Sequence, residues 1–171
     1  MIILGNIISF IGCAVMIGIG LVKKKEHILT GQCIQFSLQG IANLLLGAWA
    51  GFLSCAISVV RIQVFNRAKV TVWLKLGFIA LQAVLTIFLG GESFLEWLPV
   101  LSMVLYTWYL DTDNTVLFKC VNMFGQMMWV VYDLLHRNYV AFAFDIFAIV
   151  STTIGVILLL RDKKKDNGGS V

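Results

Sequence analysis

Four amide side chains lie close together in the otherwise apolar stretch GQCIQFSLQGIAN, residues 31–43. They are Gln32, Gln35, Gln39 and Asn43, and their spacing of three, four and four residues places them along one stripe of a helix. A buried amide without a partner costs roughly 2 kcal/mol or more, so this stripe must meet other helices or line a wet cavity. Amides both donate and accept hydrogen bonds, which suits them to binding a small polar solute.

A second polar stripe follows near residue 120, where Lys119, Asn122 and Gln126 precede Trp129 and Tyr132. The two aromatic rings add a flat apolar wall to the amides. If the two stripes face each other, they enclose a polar path, and the predicted substrate-binding residues on it are Gln35, Gln39, Asn43, Asn122, Gln126, Trp129 and Tyr132. The alternative is that the amides only join helices by hydrogen bonds worth about 0.6 kcal/mol each.

Arg61 and Asp145 are ionisable residues inside apolar segments, and such residues are candidates for a functional role by default. Counted at 1.5 Å per residue from the predicted outer boundary, Arg61 lies about 20 Å deep and Asp145 about 9 Å deep. We therefore expect two separate contacts to the solute rather than a salt bridge. The alternatives are that Arg61 extends to the interface and that a neighbouring helix caps Asp145.

The elements that carry these residues are too apolar for a soluble domain. The 171 residues are 60% hydrophobic and 13% charged, with a mean hydropathy of +0.92, whereas soluble domains are about a quarter charged. At roughly 20 residues per span, the chain has room for about seven transmembrane helices. The predicted fold is an all-α integral membrane protein with spans at about 2–22, 28–46, 48–66, 70–89, 94–110, 115–135 and 138–160.

Positive charge is concentrated on one side of this arrangement. Alternate loops and the tail carry Lys23, Lys24, Lys25, Arg67, Lys69, Arg161, Lys163, Lys164 and Lys165, whereas the other loops carry only Arg137. The positive-inside rule then predicts an N-terminus outside and a cytoplasmic C-terminus. The net charge of +4 indicates attraction to anionic membrane lipids rather than to nucleic acid.

An internal repeat appears when the chain is shifted by 87 residues. Gln32 then meets Lys119 and Gln39 meets Gln126, and the shift also pairs Cys33 with Cys120, Gln35 with Asn122, Met16 with Met103 and Gly12 with Pro99. We expect a first three-helix repeat at 1–66, a linker helix at 67–92, a second repeat at 93–160 and a basic tail at 161–171. Parallel repeats are typical of secondary transporters, in which Gly12 and Pro99 would serve as hinges.

Catalytic chemistry has no support in the residues. The two histidines, His27 and His136, lie in loops on opposite faces of the predicted membrane, and no nucleophile with a base and no metal-ligand cluster emerges. The sequence predicts no enzyme, no cofactor and no metal. Its expected partners are membrane lipids and an unidentified small solute, and it is compatible with a homodimer.

Three stretches resemble a known family, the YgjV-type bacterial inner-membrane proteins. They are LGAWAGFLSCAISVVRIQVF, LPVLSMVLYTWYL and MMWVVYDLLHRNYVAFAFDIFAIVSTTIGV, and the most recognisable part is a small turn followed by an Ile-Ser-x-x-Arg run at Ile57, Ser58 and Arg61. The resemblance implies a location in the inner membrane and a topology, but little chemistry.

More remotely, the plan of three, one and three helices resembles the SWEET sugar transporters, their half-size SemiSWEET relatives, the PQ-loop proteins and the PnuC-type permeases. SWEET-like halves carry prolines in the helices that flex, and PQ-loop proteins carry a Pro-Gln pair. This chain has only Pro99, with Gly12 at the matching site, which weakens a case for sugar. The predicted function is a small-solute transporter or facilitator that works by alternating access between the two repeats. The alternative is a multi-pass membrane scaffold or subunit that transports nothing.

Overall fold

Seven α-helices account for nearly all of the residues that the computed structural model describes, which are 2–47, 49–67, 70–88, 97–135 and 139–168. No β-strand occurs in these ranges. The helices are α1 (Ile2–Leu21), α2 (Lys25–Leu45), α3 (Trp49–Arg67), α4 (Val72–Phe88), α5 (Leu98–Tyr109), α6 (Thr115–Leu135) and α7 (Tyr139–Gly168). The all-helical fold is confirmed, and most bounds agree with the prediction to within a few residues.

Two helix ends differ from the prediction. The start predicted for the fifth span, residue 94, lies outside the described residues, and α5 begins at Leu98. The basic tail predicted from residue 161 does not separate from the last span, because α7 continues to Gly168 without a break. Charged and amide side chains support a helix once water surrounds them, so the end of an apolar run did not mark the end of this helix.

Local side-chain chemistry sets several helix boundaries. Gly47 has a φ of 77°, which glycine adopts without strain, and it ends α2 in the gap between the spans predicted at 28–46 and 48–66. Before α6, the side-chain oxygen of Asn114 accepts hydrogen bonds from the backbone N–H groups of Val116, at 3.1 Å, and Leu117, at 3.3 Å. This is an N-cap, which satisfies two donors that a helix leaves unpaired.

The surface of the bundle is apolar and much of its interior is polar. Large hydrophobic side chains such as Ile3, Phe10 and Phe88 are exposed, whereas Arg61, Lys119 and other polar residues are buried. Among the described residues, two helices contain segments long and apolar enough to cross a membrane, Ile3–Leu21 and Phe142–Lys165. Apolar residues outside and polar residues inside are the distribution expected when hydrocarbon replaces water as the solvent.

Neighbouring helices pack side by side, with one additional contact that joins the first helix to the last. Helix α1 packs against both α2 and α7, α2 also packs against α3, and α6 packs against α5 and α7. Helix α4 packs mainly on α5 and only lightly on α3. We call the end of the bundle that holds residues 22–24 and 111–114 the basic end, because lysines and arginines of the loops and the tail lie there. Two ion pairs form at this end, Lys23 with Asp162 and Lys75 with Asp111.

The main apolar core lies near the basic end. Its buried members come from the final turns of α1, α3 and α5 and the initial turns of α2 and α6. They are Ile19, Ile28, Leu29, Ile62, Phe65, Tyr106, Leu110 and Phe118. Towards the opposite end, the amide positions of α2 and α6 are only half-buried. The apolar core therefore joins the helices near the basic end, where Leu29 also lines a cavity of about 600 Å³.

Candidate functional site

Arg61 is the largest fully buried side chain in the described part of the chain, with 1% of its surface exposed. It extends from α3 towards α5, where Nη1 donates to the hydroxyl of Thr107 at 3.1 Å and also lies against the sulfur of Met103. The guanidinium is 4.8 Å from the centre of the Tyr106 ring, a distance typical of cation–π contacts. Protein encloses this cation, so it does not extend to the interface.

Two nitrogens of Arg61 remain unpartnered. No described residue accepts a hydrogen bond from Nε or Nη2, although both atoms are buried. On α4, the side-chain oxygen of Gln82 is also buried, and no described residue donates a hydrogen bond to it. Buried polar atoms in proteins are nearly always hydrogen-bonded, so these three atoms mark a place where the protein alone does not satisfy its own interior.

Tyr106 connects Arg61 to the second helix. Its hydroxyl donates to the side-chain oxygen of Gln32 at 2.5 Å, and both residues are buried. Its ring packs against Phe118 of α6, with the two ring centres 5.7 Å apart. A continuous row of contacts, Gln32 to Tyr106 to Arg61, therefore joins α2, α5 and α3 near the basic end.

Lys119 makes a corresponding link between α6 and α1. It is buried, and its ammonium donates to the backbone oxygen of Gly20 at 2.5 Å. Gly20 lies in the last turn of α1, where the carbonyl groups of a helix attract a cation. Gly155 of α7 packs closely on the same atoms, because a Cβ there would overlap both the Gly20 oxygen and the Lys119 nitrogen.

The amides predicted on α2 contact α1 and α3. Gln39 exchanges hydrogen bonds with Ser9 of α1, at 3.1 and 3.3 Å, and the amide of Asn43 lies 3.9 Å from the sulfur of Cys55 on α3. Gln35 is half-buried and forms no side-chain hydrogen bond with a described residue. Two of these predicted site residues therefore already have partners within the protein.

The residues predicted on α6 divide into two groups. Gln126 donates to Asp145 of α7 at 3.0 Å and to the sulfur of Met16 on α1 at 3.2 Å. Trp129 and Tyr132 form a ring pair 5.7 Å apart, and Trp129 is 37% exposed. These contacts join Gln126 with Asp145 and Trp129 with Tyr132, whereas Arg61 lies among residues of α5.

The two stripes do not bond directly to each other in the described part of the chain. Instead both reach α1, the first through Gln39 and Ser9 and the second through Gln126 and Met16. Asn122, like Gln35, is half-buried. A polar path between the stripes therefore stays a prediction, with α1 bordering it.

The two predicted hinge residues occupy ordinary helical positions. Gly12 is buried within the uninterrupted helix α1, where a Cβ would lie 3.4 Å from the side-chain oxygen of Gln39. Pro99 lies in the first turn of α5, where a missing N–H breaks no helical hydrogen bond. A hinge role for either residue stays a prediction.

The sequence interpretation missed Tyr106 and Thr107 as contacts of Arg61. Both lie in the run LYTWYL, whose aromatic residues are typical of a membrane interface. The only available signal was the threonine four residues after Met103, on the same face of α5. Among the described residues, no three His, Cys, Asp or Glu side chains lie together as metal ligands.

Comparison with known proteins supports a membrane location. The family model Imp-YgjV, described as a bacterial inner membrane protein, matches residues 3–163. No curated protein and no solved structure gives a significant match. The matched region contains every residue of the candidate site.

Proposed function

The chain belongs to the Imp-YgjV family of bacterial inner membrane proteins, and we propose that it carries a small polar solute across that membrane. In this proposal α1–α3 and α5–α7 are parallel repeats joined by α4, and they rock against each other around a site between them. The basic end faces the cytoplasm, as its positive charge favours, and the N-terminus lies outside.

Reciprocal contacts between the two halves support the repeat. With the shift of 87 residues, Gln32 corresponds to Lys119, and Gly20 corresponds to Thr107, which is next to Tyr106. Gln32 of the first half bonds to Tyr106 of the second, and Lys119 of the second half bonds to Gly20 of the first. Two units related by a twofold axis make each contact between them twice, and these two contacts correspond to each other to within one residue.

A contact between two corresponding residues gives independent support. The ammonium of Lys25 donates to the backbone oxygen of Thr112, and the two residues are 87 positions apart in the sequence. A residue can touch its own counterpart only close to the twofold axis that relates them. The axis implied by the repeat therefore passes through the basic end, between the two halves.

The single observation that carries the transport proposal is the position of the apolar core at one end of the bundle. The core and the Tyr106–Gln32 bond join the halves near the basic end, whereas Gln35, Gln39 and Asn122 are half-buried further towards the opposite end. Alternating access requires a barrier between a polar site and one side of the membrane. We propose that the core and this bond form the barrier on the cytoplasmic side, beneath a cavity at the basic end that Leu29 lines.

A second candidate function is a membrane scaffold or subunit that transports nothing. The hydrogen bonds from Gln39 to Ser9 and from Gln126 to Asp145 favour it, because both amides have partners on neighbouring helices. Amides of this kind stabilise helix packing without any solute.

The closure at the basic end can be tested with Tyr106→Phe, which removes the hydroxyl that bonds to Gln32. Loss of a bond worth about 1 kcal/mol should make opening at this end about five times more frequent. A cysteine replacing Ile28, a core residue that is only 1% exposed, should then react about five times faster with a membrane-impermeant maleimide applied to the basic end in inverted vesicles. The native cysteines are replaced beforehand.

Tyr109→Phe is the matched control, since it makes the same change on the same helix at a half-buried position that lines an apolar groove. It should leave the reaction rate of the cysteine unchanged. Equal rates in the Tyr106→Phe and Tyr109→Phe proteins would contradict closure by the Tyr106–Gln32 bond.

Uptake measurements separate the two candidate functions. Proteoliposomes that contain the protein should accumulate at least one compound from a panel of labelled polar solutes, and Gln39→Leu and Gln126→Leu should reduce that uptake. Full uptake by both variants would rule out the polar path. A protein that takes up none of the panel and shows no change in accessibility with Tyr106→Phe would favour the scaffold.

A further inference from the structure

The guanidinium of Arg61 has a face and two edges on which a ligand or a protein group can bind. Tyr106 occupies the face and Thr107 accepts from Nη1. The remaining edge is formed by Nε and Nη2, which lie side by side and have no acceptor among the described residues. The protein therefore holds the group firmly while one pair of parallel donors stays free.

The shape of this free edge indicates what it binds. Two parallel N–H groups match the two oxygens of a carboxylate, and paired bonds of this kind are the strong, bidentate contacts for which arginine is suited. A neutral amide offers only one oxygen in that plane, and a chloride ion cannot satisfy both donors with separate atoms. The edge therefore favours an organic anion over a neutral solute.

The charges around Arg61 support an anion as well. The ion pairs in the described part of the chain are Lys23 with Asp162 and Lys75 with Asp111, and neither includes Arg61. Asp145, the buried carboxylate, accepts a hydrogen bond from Gln126 on another helix pair. A cation enclosed in a membrane protein without a nearby carboxylate is costly, and a bound anion reduces that cost.

Polar groups continue from Arg61 along α3. Ser54 and Ser58 precede Arg61 by seven and three residues and share its face of the helix. Gln82 of α4 donates to Ser54 at 3.5 Å, while its side-chain oxygen has no described donor. A solute held by its carboxylate at Arg61 therefore has further polar groups beside it, on the lightly packed border between α3 and α4.

We propose that Arg61 binds the carboxylate of a small organic anion through Nε and Nη2, and that such an anion is the solute that the chain carries. The second clause rests on the proposed function, whereas the binding itself does not. Tyr106 and Thr107 are positioning residues, because they hold the guanidinium through its face and its other edge and leave the binding edge free.

The test measures thermal unfolding of the purified full chain in detergent, with sodium acetate as the probe. Acetamide, which has nearly the same shape but no charge, and sodium chloride at equal ionic strength are the comparison solutes. The unfolding temperature should rise as the acetate concentration increases, because a ligand that binds the folded state stabilises it. Equal effects of acetate, acetamide and chloride on the natural protein would overturn the proposal.

Two variants locate the site. Arg61→Lys keeps the charge but loses the pair of parallel donors. The acetate concentration that gives half of the full rise in unfolding temperature should therefore increase at least tenfold. Arg67→Lys makes the same change at an exposed position at the end of the same helix and should leave the acetate response unchanged. An unaltered response in a folded Arg61→Lys protein would overturn the assignment to Arg61.

Uptake of labelled acetate by proteoliposomes separates this proposal from the proposed function. Acetate stabilisation without uptake of any solute would support the binding site and overturn transport. Uptake of a neutral solute, without stabilisation by acetate, would support transport and overturn the anion site.

Discussion

Arg61 and Lys119 show how differently two buried cations can be accommodated in one bundle. The Lys119 ammonium is directed at a carbonyl oxygen in the last turn of α1, where the helix dipole already favours positive charge. Arg61 has a hydroxyl and an aromatic ring, and two of its nitrogens lack an acceptor in the described part of the chain. The Lys119 nitrogen therefore has an acceptor, whereas two nitrogens of Arg61 have none among the described residues.

The sequence identified Arg61 as important because a charged residue within an apolar span is costly wherever it points. It did not identify the partners, because Thr107 is 46 residues further along the chain and its single hydroxyl has no pattern of its own. The spacing of the amides on α2 showed that they share one face of that helix, but it did not show what this face contacts. Which neighbouring helix meets that face is decided by packing.

Replacement of Arg61 by methionine should stabilise the folded protein in the absence of ligand. The change removes a buried, incompletely paired charge and retains much of its apolar volume, so the free energy of unfolding should rise by about 1 kcal/mol or more. Thr107→Val should act in the opposite direction by a similar amount, because it leaves Nη1 of Arg61 without its oxygen acceptor.

Circular dichroism during denaturant unfolding in mixed micelles measures both free energies. A methionine variant that is clearly less stable than the natural protein would show that Arg61 contributes net stability. That result would remove the unmet capacity from which the anion site is argued.

At the scale of helices, sequence and structure agree well because apolar runs, turn residues and charged loops divide the chain sharply. Gly47 ends α2 as its position predicted. The close packing of α1 on α7 was not predictable, since fifteen glycines occur in the chain and sequence alone does not tell which ones face a neighbouring backbone. Gly20 and Gly155 do so, and Gly18, one half-turn away, does not.

Gly20→Ala should lower the free energy of unfolding by about 1–3 kcal/mol, the usual cost of forcing an extra carbon into a packed interior. The added Cβ would overlap the hydroxyl of Ser151 and lie 2.7 Å from the backbone nitrogen of Thr152 on α7. Thermal unfolding followed by circular dichroism measures the loss.

Gly18→Ala on the same helix is the control, because a Cβ there meets nothing within 4 Å. It should raise the free energy of unfolding by about 0.5–1 kcal/mol, since alanine favours the helix more than glycine does. Similar effects of the two alanines would contradict the close α1–α7 contact.

At the scale of the whole molecule, charge and burial are both distributed unequally between the two ends. The sequence predicted the charge, because lysines and arginines occur in alternate loops. It did not predict that the apolar core lies at the same end, since the apolar side chains that pack together depend on which helices meet and at what height.

The proposed orientation predicts a pattern of chemical labelling in cells. In a protein without its native cysteines, Lys24→Cys at the basic end should react with an impermeant maleimide in inverted vesicles but not in intact cells. Leu135→Cys, which lies exposed at the end of α6 on the opposite side, should react in cells whose outer membrane has been permeabilised. The reverse pattern would place the N-terminus in the cytoplasm and invert the proposed topology.

If the two halves are the parallel repeats that we propose, the contact between Lys25 and Thr112 gives a reason for both halves to belong to one polypeptide. If the halves were identical separate chains, the position on the twofold axis would bring two lysine ammonium groups together, and their repulsion would push the subunits apart. Covalent fusion allows the two axial positions to differ. One contributes an ammonium group and the other a backbone oxygen, so a point of repulsion becomes a point of attachment.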